Sequence, residues 1–173
     1  MSGIRGLSPA EHGEIFDYIT LGGIVSPGVV VLSGHDREQN FDVKEASGQK
    51  GASTTWTGTK VGSFTATFHI TWDPVADINE FAQWDDFQAL CEATVPPLSG
   101  KKPVALDVWH PDLDRNGFRQ VIMKKMGAMS HDGKGGATVA VEFQEYYPPK
   151  PASSGTAKAK EKPEDPNDPL VKA

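Results

Sequence analysis

Residues 64–72 carry the clearest alternation in the chain. Phe64, Ala66, Phe68, Ile70 and Trp72 share one parity, and Thr65, Thr67, His69 and Thr71 the other. Such a run predicts a strand with one buried face, because successive side chains leave opposite sides of the pleat. Its polar face, rich in β-branched threonine, suits a solvated or partner-facing surface. The period then changes. Ile78, Phe81, Trp84, Phe87, Leu90 and Cys91 fall on one stripe of a helix. Asp73-Pro74 offers one start, since proline at the first helical position loses no needed donor. Asp77 with Glu80 offers another, close to a capping box. Pro96-Pro97 ends it.

Shorter runs complete the pattern. Residues 29–32 (VVVL) read as a strand. So do residues 39–44, with Phe41 and Val43 on one face, and residues 54–60, a threonine run around Trp56. After the helix, residues 103–110 place Val104, Leu106 and Val108 opposite Ala105, Asp107 and Trp109. Residues 111–117 read as a turn, and residues 118–126 as a strand of mixed pattern. A glycine hairpin at 130–136 leads to a last strand, with Ala137, Val139, Val141 and Phe143 on its apolar parity. The expected fold is mainly β: an antiparallel sandwich or barrel of about six to eight strands with one main helix over roughly residues 77–93. Its core is expected to hold Phe64, Phe68, Ile70, Trp72, Phe81, Trp84 and Phe87.

Three segments are expected: an arm (1–26), a β-rich globular domain (27–147) and a flexible tail (148–173). Glycines break every apolar run of the arm, so it either packs on its own domain or docks on a neighbour; docking is the expectation. The tail is rich in Pro, Lys and Glu and has almost nothing to bury.

Net charge is −6, which argues against a nucleic-acid-binding surface as the main role, and no sequence-specific nucleic-acid contact is expected. No stretch approaches a membrane span or a signal peptide, so the chain reads as made in a reducing cytoplasm. One cysteine, Cys91, excludes an intrachain disulfide and lies on the helix's apolar stripe, where it reads as a small core residue.

Candidate chemistry is sparse. Asp112, Asp114, Asn116 and Gly117 match the first half of a calcium loop, D-x-D-x-N-G, but the twelfth position is Met123 rather than a bidentate glutamate. A polar turn is the favoured reading. The five histidines, His12, His35, His69, His110 and His131, show no metal-ligand spacing. His35-Asp36 and His131-Asp132 resemble acid–base pairs without a nucleophile. The glycine-rich loops with Lys50 and Lys134 lack phosphate-loop spacing. No catalytic residue, cofactor or metal is expected. Among the tryptophans only Trp56 and Trp109 fall outside predicted core faces, so the alternative reading is a carbohydrate-binding β-sandwich using those two rings.

Read in order, Arg37-x-Gln39-x-Phe41-Asp42, the loop 48–51, Trp56-Thr57-Gly58, the aromatic strand 64–72, the helix with Trp84 and Phe87, Ala105-Leu106-x-Val108-x-His110-Pro111-x-Leu113, the glycine hairpin, and the stretch from Val139 through Glu145-Tyr146 to Pro148-Pro149 resemble small structural proteins of contractile bacteriophage tails. The resemblance implies a non-enzymatic virion component of the baseplate or adjoining tail tube, made in the host cytoplasm. Its partners would be other tail or baseplate proteins and further copies of itself, in a ring. Tail-tube subunits of this kind lengthen a β-hairpin to complete a ring-wide barrel; the sequence alone does not locate that hairpin here.

Overall fold

The computed structural model describes residues 7–45 and 51–148. In chain order the strands are β1 (Thr20–Leu21), β2 (Ile24–Val25), β3 (Val29–Ser33), β4 (Gln39–Glu45), β5 (Ala52–Thr59), β6 (Ser63–Asp73), β7 (Ile78–Asn79), β8 (Leu106–Trp109), β9 (Gln120–Met126), β10 (Ser130–His131) and β11 (Gly136–Glu145). Two α-helices interrupt them, α1 (Glu80–Glu92) and α2 (Pro111–Arg115). The protein is mainly β, with antiparallel sheets and one main helix, as the alternating runs predict.

One sheet follows the order β2-β1-β8-β9-β11-β6-β3, with β10 on β11 and β7 on β6. Val30 N–H donates to the carbonyl of Asp17 at 2.8 Å, so the chain just before β1 touches β3, the strand at the far end of that order. At its centre β6 and β11 put Phe64 opposite Phe143, Ala66 opposite Val141 and Phe68 opposite Val139, all buried. Cross-strand pairs of this kind are the unit of sheet stabilisation. Helix α1 covers the sheet, with Trp84 and Phe87 against Phe68 at 5.1 and 5.4 Å between ring centroids. Phe118 closes the other end, edge-on to Phe64 at 5.5 Å.

The core differs from expectation at two aromatic positions. Trp72 is 51% exposed and Phe81 only partly buried. Trp72 has the right parity, but β6 outlasts the core: β11 pairs with it only as far as Thr71, and beyond lies the two-residue β7. Both predicted helix starts are also corrected. Asp73 Oδ1 accepts the amides of Val75 and Ala76, so Asp73-Pro74 makes a turn. Asp77 has φ +56°, a left-handed conformation outside the extended region a helix cap needs. Asn79 is the cap, accepting from Phe81 N–H at 3.2 Å, and Ile78 lies in β7 rather than on the helix.

The N-terminal segment is corrected as well. Ile19 and Leu21 are fully buried, β1 pairs with β8, and Ile19 N–H donates to the buried Ser26 hydroxyl. From β1 onward this segment is part of the domain, not an arm with few contacts of its own. Its glycines serve the tight β1–β2 turn, where Gly22 and Gly23 have positive φ. Residues 111–115 form a short helix where a turn is expected. Pro111 is preorganised for the first turn and His110 caps it, its Nδ1 accepting from Asp112 N–H at 3.1 Å. Residues 46–50 and 149–173 lie outside the described residues, and with them most of the first glycine loop and nearly all of the expected tail.

Candidate functional site

Strands β4 and β5 pair only with each other among the described residues and form a separate two-stranded ribbon. Nearly all of their residues are exposed. The register gives the ribbon two unlike faces. Phe41 opposite Trp56, and Val43 opposite Thr54, form an apolar face; Asp42 opposite Thr55, and Lys44 opposite Ser53, form a polar one. A bulge at Thr57, between the Asn40–Gly58 and Phe41–Trp56 pairs, brings Thr59 onto the face of Trp56, and Gln39 Oε1 accepts there from the indole N–H at 2.8 Å and from the Thr59 hydroxyl at 2.9 Å. Phe41, Val43 and Trp56 are each more than half exposed. An isolated two-stranded ribbon is marginal in water, and both its outer edges offer unpaired backbone groups. Burying three such side chains on a partner would contribute roughly 1 kcal/mol each, given that about half of each is already covered.

The ribbon leaves the body through a dense polar root. Arg37 donates through Nε to the Asn116 carbonyl at 2.5 Å, through one terminal nitrogen to the Tyr147 hydroxyl at 3.0 Å, and through the other to Glu145 Oε1 at 2.6 Å. Its guanidinium lies 4.8 Å from the Phe118 ring centroid. Burial pulls the Arg37 guanidinium down, but hydrogen bonds to Tyr147 and Glu145 outweigh it and leave its pKa above the ordinary value. Arg37 and Glu145 stand 108 positions apart, and no local pattern in the sequence joins them.

The residues singled out for chemistry are spread across the fold. Asp112 pairs with Arg115 at 2.9 Å and Asp114 with Arg119, while the Asn116 amide donates to the His35 carbonyl. The half-motif for calcium therefore points its carboxylates at two different arginines, and no cluster of potential metal ligands occurs among the described residues. His35 sits at the ribbon root. His131 stacks on Phe81 at the far end of β6, beside Trp72, and Asp132 caps the Lys134 and Gly136 amides. An eleven-residue strand separates these ends, roughly 30 Å at the usual rise. The two His-Asp pairs do not converge. Those backbone amides hold the Asp132 carboxyl below its ordinary range. Trp56 is exposed on the ribbon, whereas Trp109 is half-buried in β8 and leans on Tyr18 at 6.3 Å, so the rings are engaged on separate elements. Cys91 is fully buried; desolvation, with a smaller contribution from Glu92, pushes its thiol up to about 12. Among the described residues no helix is long and apolar enough to cross a membrane.

No family model and no curated protein matches the chain. Two solved structures resemble it in part. One is a sheath/tube terminator of an extracellular contractile injection system, PVC, in its extended state, at 10% identity and a TM-score of 0.44, covering 75% of this chain and 89% of that one. The other comes from the sheath–tube complex of such a system in the extended state, at 10% identity and a TM-score of 0.45, covering 82% and 96%. At this level the description of the fold rests on the strand order and core above.

Proposed function

We propose that this chain is a non-enzymatic structural subunit of a contractile tail, a phage baseplate or the adjoining tube, that assembles with copies of itself through the β4–β5 ribbon. The observation that carries the proposal is the ribbon: two strands that, among the described residues, are bonded to no other sheet and present an open aromatic face and two open edges. On this reading the ribbon is the lengthened hairpin that the resemblance to tail-tube proteins implies. A ribbon that docks on a different patch of the next copy is a heterologous contact, and repeated rotation closes such contacts into a ring. The polar ribbon face, with Asp42, Lys44, Ser53 and Thr55, then remains wet while Phe41, Val43 and Trp56 are covered.

Mass photometry and negative-stain microscopy of the purified full chain test this reading. Rings or short stacks of rings are expected. The double variant Phe41→Ser/Trp56→Ser is expected to keep its circular dichroism and melting temperature yet remain monomeric. A wild-type chain that stays monomeric at high concentration, or a double variant that assembles as well as wild type, would overturn it.

A further inference from the structure

We propose that Glu145 is the positioning residue of the ribbon: its one carboxylate holds both legs of the hairpin and fixes the direction in which the ribbon leaves the body. Oε1 accepts from Arg37, two residues before β4. Oε2 accepts from the amide of Gly62, three residues after β5, at 3.3 Å, and the Glu145 N–H donates back to the Gly62 carbonyl at 2.9 Å. Glu145 is the last residue of β11, in register with Val121 of β9, so the clamp is rooted in the centre of the sheet. Its side chain is 1% exposed and that of Arg37 20%.

The surroundings leave the clamp little freedom. The Tyr147 hydroxyl donates to the same Oε1 at 2.7 Å and accepts from Arg37. A Cβ on Gly62 would stand 2.6 Å from the Phe118 ring, so this leg can lie against Glu145 only as glycine. One step further out, the Lys60 N–H donates to the Glu38 carbonyl at 2.9 Å and the Lys60 ammonium pairs with the Glu38 carboxylate at 2.5 Å, tying the legs together.

Direction matters because the ribbon is long. Eight residues of β5 span roughly 26 Å. A tilt of about 10° at the root moves the tip by roughly 4.6 Å, close to one inter-strand spacing. A ribbon loosened by that amount no longer presents its edges in one register to a neighbour. The importance of direction for assembly rests on the function proposed above; the clamp itself does not.

Glu145→Gln is the sharpest test. The amide keeps the size but has one acceptor oxygen, so it cannot accept from both legs. Spin labels are placed at Lys44→Cys on the ribbon and Asp85→Cys on α1, both exposed, with buried Cys91 out of reach of the reagent. Labelled full-length chain is diluted into excess unlabelled chain of the same variant, so only intrachain distances are read by pulsed electron paramagnetic resonance. A narrow distribution is expected with Glu145 in place, and one at least twice as wide with Glu145→Gln, while near-ultraviolet circular dichroism reports an intact core. An equally narrow distribution in Glu145→Gln overturns the proposal. Should that variant fail to fold, Arg37→Gln removes one leg only and must also widen the distribution; if it does not, the proposal falls. A wild-type chain that never assembles would refute the ring and leave the distances to judge the clamp.

Discussion

Trp72 and Trp84 share one side chain and one predicted core, yet the fold treats them differently. Trp84 is 1% exposed, its ring 5.1 Å from Phe68 and 6.1 Å from Phe87. Trp72 is 51% exposed and lines an open groove with Phe81 and His131. A buried tryptophan removes about 200 Å² from water, worth at most ~5 kcal/mol at ~25 cal/mol/Å². Truncation to alanine at such a site costs about 3–5 kcal/mol, because the lining relaxes only in part around the cavity. The Trp84 indole also donates to Gln88 Oε1 at 3.2 Å, but Gln88 is half-exposed and water replaces that bond. Trp84→Ala is therefore expected to cost about 4 kcal/mol. Trp72→Ala removes about half the buried area and opens no enclosed cavity, so about 1–2 kcal/mol is expected. Both variants delete the same groups from the unfolded chain, so their difference isolates burial. Urea unfolding followed by far-ultraviolet circular dichroism measures it without relying on tryptophan emission. The slope should be unchanged and the midpoints well separated. Variants that unfold within about 1 kcal/mol of each other would refute the assignment of Trp84 to the core and Trp72 to the groove.

Leu21→Ala is expected to cost about 2–5 kcal/mol in the same titration, since Leu21 is fully buried; a segment docked only on neighbours would leave the isolated chain's stability unchanged. His110 gives a pH dependence. Burial holds its pKa below the ordinary 6.5, although Phe16 and Asp112 act to raise it and His35 and Arg115 add to the lowering. Its Nδ1 accepts from Asp112 N–H, so Nε2 carries the proton and donates to the Phe16 carbonyl at 3.2 Å. The unfolded chain takes up the proton first, so this contribution to stability is fully present above about 6.5, starts to fall below that value and is lost as pH drops through the lower folded-state pKa. Urea midpoints between pH 5 and 8 should show the decline, and His110→Asn should flatten it; an unchanged slope in that variant would remove His110 as its source.

Sequence alone determined the elements whose pattern is local. Alternation in β6 and β11 and the helical stripe around Trp84 and Phe87 gave the β-rich class and most of the core, because a half-buried strand and an amphipathic helix each carry their period in adjacent residues. Phe41, Val43 and Trp56 were legible as strand residues, but nothing local says that, among the described residues, their strands pair only with each other. Trp72 kept its parity and lost its burial because the partner strand stops at Thr71, a fact about β11 rather than β6. Ile19 and Leu21 read as a glycine-broken arm because the strand that takes β1 into the sheet, β8, lies some 85 residues further along. The Glu145 clamp depends wholly on tertiary structure: a carboxylate takes up a distant arginine and a distant amide only where the fold has already brought them within hydrogen-bond reach.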